Sequence, residues 1–369
     1  NLFGTPYQST VQAISKLIVG LVYIWALPYV LKRIRMFFLI SLWIASIIFL
    51  FHFLIFPDNS EYILDIGLSF FITCWPAFVY ALSIRELHIL QRIMAKASFY
   101  IFIIGTLLGF FILGGRVSIG VYSMPLSYYL LLPAIMYSDM FLERFRIKHG
   151  LMAVIATILI ILLGARGPLL CLGVYIMLRM GKYFESRRIY TVFLYILFWV
   201  SLIVLFVYFQ TIMEFVYNLF VKHGYYSRTL WLLTQPTVFM SGRDRIYQEA
   251  MTHIFGDRYL FGYGIGGDRI ILGGMYVHNF YLEVLLNFGV LFGGLIALFV
   301  TLLLFTLLLT TDRERYNMYI TWIALGFVPL MVSSSYLINI NFWILLGLSL
   351  QRIGDRLRCR DKRVIGKYK

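Results

Sequence analysis

Charge is what this sequence has least of. Charged side chains make up 13% of its 369 residues, against about 25% in a soluble globular domain. Hydrophobic residues reach 61%, so an ordinary soluble domain is excluded and an integral membrane protein is favoured. Cysteine is also scarce. Cys74 and Cys171 lie in apolar runs and Cys359 in the basic tail. No pair has metal or redox spacing, so neither a disulfide nor a metal site is expected. There is no internal repeat, no low-complexity segment and no cleavable signal peptide. Short alternating segments of the β-barrel kind are missing too. Acidic residues are few, 17 against 32 basic ones, for a net charge of +15. In a soluble protein that balance points to nucleic acid. Here the basic residues sit mostly in short loops, the positive-inside pattern, and no nucleic-acid partner is expected.

What is present is apolar sequence in long runs, near the roughly 20 residues that cross the hydrocarbon as a helix. Spans are predicted at 10–31, 36–56, 63–84, 98–113, 125–142, 150–164, 167–184, 190–212, 281–309, 317–332 and 336–353. The predicted fold class is an all-α integral membrane protein of eleven transmembrane helices, a single multispan domain over 1–369. Lysine and arginine concentrate around Arg33, Arg92, Arg146, Arg187 and Arg313 and in the tail after Arg352, which marks that side as cytoplasmic. Eleven spans then put Asn1 outside. The chain does not begin with Met, and an upstream span would give twelve with both ends inside.

The outer connectors are short (57–62, 113–124, 164–167) except for 213–280. A connection that long is functional or disordered, and its aromatic content argues against disorder. Within it, Ser241 or Asp244 caps a predicted helix through about Phe255, with Ile246, Ala250, Met251 and Ile254 on one face. Such a helix is expected to lie along the membrane surface.

Few ionisable residues fall inside the spans, and no opposite-charge pair is expected at mid-membrane, which speaks against a coupled transporter. The outer side instead collects Arg116, Arg166, Arg228, Arg243, Arg245, Arg258 and Arg269. Positive charge there runs against the topology bias. A guanidinium offers a planar fork that matches phosphate bidentately, so the cluster suits a diphosphate at headgroup level. Any single arginine has the alternative of pairing with Asp244, Glu249, Asp257, Asp268 or lipid phosphates. Arg166 sits in a hairpin too short to be solvated, so it needs a partner. That is substrate phosphate, or a carboxylate such as Asp244 or Glu283. His278 lies where the chain re-enters the membrane, and histidine is the common general base near neutral pH. Beside aromatic residues, it is also commonly structural. Asn279 could orient it or a substrate hydroxyl. Gly262, Gly264 and Gly267 spell GxGxxG, but no βαβ context surrounds them and a Rossmann site is rejected. A flexible connector is the expectation, with a phosphate-binding loop as the alternative. Gly289 and Gly293 form GxxxG, read as close helix packing.

These residues carry a resemblance. Ser241-Gly242-Arg243, then Phe261-Gly262-Tyr263-Gly264-Ile265-Gly266, then His278-Asn279-Phe280-Tyr281-Leu282 running on to Gly293 resemble the O-antigen polymerase and O-antigen ligase superfamily. Ala165-Arg166-Gly167 is similar to the family's Ser-Arg-Gly hairpin. The matches cover about 165–295. Ala165 replaces the common serine, Tyr247 stands where Trp is frequent, and Asn287 stands where an acid is frequent. The resemblance implies a GT-C-like helical fold with a large extracytoplasmic loop, in the bacterial inner membrane with the active site on the periplasmic side. It implies metal-independent, inverting glycosyl transfer from an undecaprenyl-diphosphate-linked oligosaccharide, without a cofactor. Arg166 and Arg243 would hold the diphosphate, and His278 would take the proton from the acceptor hydroxyl. Arg116, Arg245, Arg258, Arg269, Asn279 and Tyr281 are further substrate-binding candidates. The expected partners are the lipid-linked oligosaccharide, the bilayer and a chain-length regulator membrane protein. The expected activity is repeat-unit polymerisation. Ligation to a lipid A core is the alternative, and a polysaccharide flippase is the alternative of another class.

Overall fold

A computed structural model describes residues 6–113, 124–163, 165–183, 207–224, 228–235 and 243–365, with isolated positions 196 and 200. Arg116, Ser241, Gly242 and most of the predicted span 190–212 lie outside the described residues. Among the described residues every regular element is helical. Four stretches are long and apolar enough to cross a membrane: Leu17–Ile55, Pro57–Ser83, Leu87–Gly109 and Phe280–Leu308. Exposed Trp25, Trp43 and Leu54 on the first of these are what a lipid-facing surface requires.

The chain forms two compact units. The first holds 1–85, 243–311 and 330–369. Its helices are α1 (Pro6–Ile55), α2 (Ser60–Ser69), α3 (Trp75–Ser83), α10 (Arg243–Ile254), α11 (Gly267–Ile271), α12 (Phe280–Phe288), α13 (Gly294–Leu308) and α15 (Ile340–Ile365). α1 bends at Ile34, at the junction of two predicted spans. α15 packs along α3, and α12 packs on α10 and α11. The second unit holds 86–242 and 312–329. It contains α4 (Leu87–Leu113), α5 (Met124–Arg144), α6 (Ile147–Leu162), α7 (Arg166–Tyr183), α8 (Phe209–Lys222), α9 (Arg228–Leu233) and α14 (Arg313–Trp322). α5 packs closely on α6 and also contacts α4 and α7. The long connector 213–280 is thus divided: α8 and α9 go with one unit, α10 onward with the other.

One unforeseen feature and one corrected expectation stand in this frame. α5 and α7 carry a buried ion pair, Arg179 Nε to Asp139 Oδ1 at 2.7 Å. It lies about one turn from the ends of both helices, not at mid-membrane. The helix over 243–254 forms, but Ile246, Ala250 and Ile254 are buried in a cluster with Leu272, Val277 and Leu286. Its apolar stripe is spent on protein, so none is left for the bilayer surface, and Met251 alone of the expected face is exposed.

The glycine-rich segment is a built loop, not a flexible connector. At the end of α12 the helical bonds from Val290 and Leu291 to Leu286 and Asn287 are replaced by a swap. Tyr263 N donates to Leu286 O and Gly264 N to Asn287 O, both at 2.9 Å. Val290 N donates to Tyr259 O at 2.7 Å and Leu291 N to Leu260 O at 3.3 Å. The amides of 263 and 264 are therefore occupied and do not form a phosphate nest. Gly289 (φ 71°) enables the approach, since a Cβ there would fall 2.2 Å from the Leu260 carbonyl oxygen. The GxxxG pair thus serves this break within its own chain, not a seam with another helix. Gly289→Ala is expected to destabilise the protein by about 3 kcal/mol or more, read as a lowered melting temperature in detergent.

Candidate functional site

α10 sets the first functional side chain. Its stripe of Ile246, Ala250 and Ile254 docks on α12, which fixes the helix and places half-buried Arg243 at its start. Arg245, two positions on, points to solvent instead.

His278 is set by its neighbours on both sides. Val277 is fully buried. Asn279 is extended and caps α12, its side-chain oxygen accepting from Tyr281 N at 3.0 Å and Leu282 N at 3.3 Å. Between them His278 is held at φ 59°, one of two non-glycine residues with positive φ among the described residues. That conformation is costly and clusters at functional sites. The Tyr276 ring lies 4.1 Å away, centroid to centroid, and its hydroxyl donates to the Ser333 carbonyl at 2.9 Å. The same carbonyl faces the His278 ring. His278 Nδ1 is buried without a hydrogen-bond partner. Burial first, and the Arg243 charge second, push the imidazole down to about 4, while the Ser333 carbonyl pulls the other way. The ring is therefore neutral at pH 7.

Behind this pair lies a buried polar group that sequence reasoning missed. Asp268 and Glu283 are fully buried and Arg269 nearly so. Arg269 NH1 meets Asp268 Oδ1 at 3.2 Å, and its guanidinium lies 5.8 Å from the Tyr276 ring centre. The Ser335 hydroxyl donates to Glu283. Asn287, also fully buried, donates to the Tyr336 hydroxyl at 3.2 Å. Burial raises Asp268 above the ordinary carboxylate range, against the pull of Arg269. The sequence signals for this group were Asp268, a possible partner of an outer arginine, and Glu283, one turn into the helix that follows Asn279. Arg269→Ala leaves Asp268 buried and unpaired, and a loss of about 3–5 kcal/mol in stability is expected, measured by denaturant or thermal unfolding in detergent.

The remaining candidates separate. Asn279 uses its side-chain oxygen as the cap of α12. The Tyr281 hydroxyl pairs with Thr301 Oγ1 on α13 at 3.0 Å, so it too has a local role. Arg269 is committed to Asp268, its alternative in the sequence. Arg258 is exposed over the Tyr263 ring at 5.6 Å. Arg166 is the first residue of α7, in the second unit. Among the described residues no group of three or more His, Cys, Asp or Glu is placed to hold a metal. No protein-family model, curated protein or solved structure matches this chain.

Proposed function

We propose that this chain is a membrane glycosyltransferase that polymerises polysaccharide repeat units carried on a polyprenyl diphosphate. The observation that carries the reading is a neutral His278 held at a positive φ and lying within the electrostatic reach of Arg243. A guanidinium can recognise phosphate and an imidazole can accept a proton, the two functions that transfer from a diphosphate needs.

In this mechanism the acceptor sugar's hydroxyl oxygen attacks the anomeric carbon of the growing chain. The bond from that carbon to the diphosphate oxygen breaks on the opposite face, which inverts the configuration. His278 takes the hydroxyl proton as the new glycosidic bond forms. Arg243 offsets the charge that builds on the departing diphosphate, and the Tyr276 ring packs against the imidazole. Arg166 is assigned to the diphosphate by the resemblance, and its role rests on the assay below. The transfer faces the extracytoplasmic side, and a chain-length regulator is the expected protein partner.

Purified protein and a defined lipid-linked repeat unit test the reading. Wild type should build a ladder of chain lengths without other proteins, and Arg166→Ala should not. In cells, a deletion that leaves single-repeat surface glycan marks a polymerase. Full-length chains retained on the lipid carrier would mark a ligase instead.

The transporter reading requires a polar cavity within the spans. A cavity of about 580 Å³ in the second unit is lined by Arg92, Asp139, Glu143, Arg144, Arg313 and Glu314 together with Ala95, Met136 and Met140, at helix ends on the side richer in lysine and arginine. Full activity of Arg243→Ala in vesicle-based lipid translocation, with no chain extension by wild type, would decide for it.

A further inference from the structure

A second cavity, of about 360 Å³, opens in the first unit between the turn after α1 and the far end of α10. Its wall carries Asp58, Asn59, His253, Asp257, Arg258 and Tyr263. Asp58, Asp257 and Arg258 are exposed, so their polar atoms are available to a ligand. Asn59 joins the two sides of the groove, its amide donating to the Tyr263 carbonyl at 2.7 Å and the Ile265 carbonyl at 3.1 Å. His253 Nδ1 is engaged at the Glu249 carbonyl, 2.9 Å away, which leaves Nε2 as its other polar atom. Its ring meets the Tyr263 ring edge-on at 5.7 Å.

The chemistry of this wall is specific. Two carboxylates offer acceptors for hydroxyl donors, and Arg258, held over the Tyr263 ring, offers donors. Two carboxylates repel a diphosphate, so the groove is not a second phosphate site. The donor set also falls short of a metal cage. What fits is a polyhydroxylated, uncharged or amino-bearing sugar, and the volume lies in the range of small-ligand sites.

Its position sharpens the point. Arg243 and His253 lie on one helix, ten residues apart. At about 1.5 Å rise per residue they are separated by roughly 15 Å, the reach of a short oligosaccharide. We propose that the groove at Asp58, Asp257 and Tyr263 is a saccharide subsite that holds the distal end of the oligosaccharide whose reacting end lies at Arg243 and His278. The identity of that oligosaccharide as a lipid-linked repeat rests on the polymerase reading. The groove's affinity for sugar does not.

Saturation-transfer NMR on protein in nanodiscs tests it. The probe is a set of tri- to hexasaccharides released by partial hydrolysis of the producing cell's own surface polysaccharide, with dextran oligosaccharides as the control. Wild type and His278→Ala should bind the released oligosaccharides and not dextran. The double variant Asp58→Asn, Asp257→Asn should lose roughly tenfold or more in affinity for each carboxylate-accepted hydrogen bond, with an unchanged melting temperature because both side chains are exposed. In chain extension the same variant should raise KM and leave kcat intact. Binding by the double variant equal to wild type overturns the subsite, as does wild type that binds none of the oligosaccharides. Binding by wild type together with no chain extension upholds the subsite and overturns the polymerase reading.

Discussion

His278→Ala is expected to slow chain extension by roughly 100- to 10,000-fold, the usual worth of a positioned general base. The loss should fall on kcat, since the imidazole acts as the acceptor hydroxyl loses its proton. Alanine at φ 59° is itself strained, so His278→Asn is the companion variant. Asparagine tolerates that backbone region and has no base to offer. Equal losses in both variants, with protein still in the membrane, assign the effect to the imidazole. Near-wild-type chain lengths in both would remove it from the mechanism. The pH profile adds a second readout. In the free protein the group titrates at about 4, so the acid limb of kcat/KM should lie near 4, not near 6.5. The linkage to stability has a definite sign. The folded value lies below the unfolded one, so the unfolded chain binds more protons between about 4 and 6.5. Stability is then lost as pH falls through that window, and His278→Asn should remove that part of the acid dependence.

Arg243→Ala is expected to cost roughly 100- to 1,000-fold in chain extension, the range for removing one preorganised group that meets developing negative charge. It should also act at a distance. The Arg243 charge is the second cause that holds His278 down, after burial, so its removal should move the imidazole titration upward, in the direction of 6.5. Histidine-labelled NMR in detergent reads this directly. An unmoved titration would mean that the two side chains are not electrostatically joined. Arg243→Lys keeps the charge but not the planar fork. It should leave the titration near wild type while chain extension stays impaired, which separates charge from geometry. By the same reasoning, a bound diphosphate that neutralises Arg243 should raise the basicity of His278 in the complex, so the kcat profile should break at higher pH than that of kcat/KM.

The parts of this protein that could be read in its sequence are those set by neighbours in the chain. Apolar runs gave the long helices, and Ile246, Ala250 and Ile254 announced α10. What was missed depends on residues far apart. Ser333 meets the 276–278 segment across 55 positions or more, and Asn59 grips a loop about 205 residues away. Charge counting treated Arg258 and Arg269 alike. One lies exposed on a ring and the other is sealed beside Asp268, a difference of burial that no count of outer arginines contains. The Asp139–Arg179 pair was missed for the same reason, because its partners sit on different helices.

The hydrogen-bond swap at the end of α12 bears on how the protein is made. Leu286 and Asn287 stand near the start of the Phe280–Leu308 stretch. Their carbonyls would be bare there without the amides of Tyr263 and Gly264, and a bare carbonyl in a lipid environment costs several kcal/mol. The loop leaves the ribosome before the helix it completes. Insertion of that span is thereby tied to prior folding of 259–264, and a chain with this hexapeptide deleted should be recognised by membrane quality-control proteases as an unfinished segment, whatever the state of its catalytic residues.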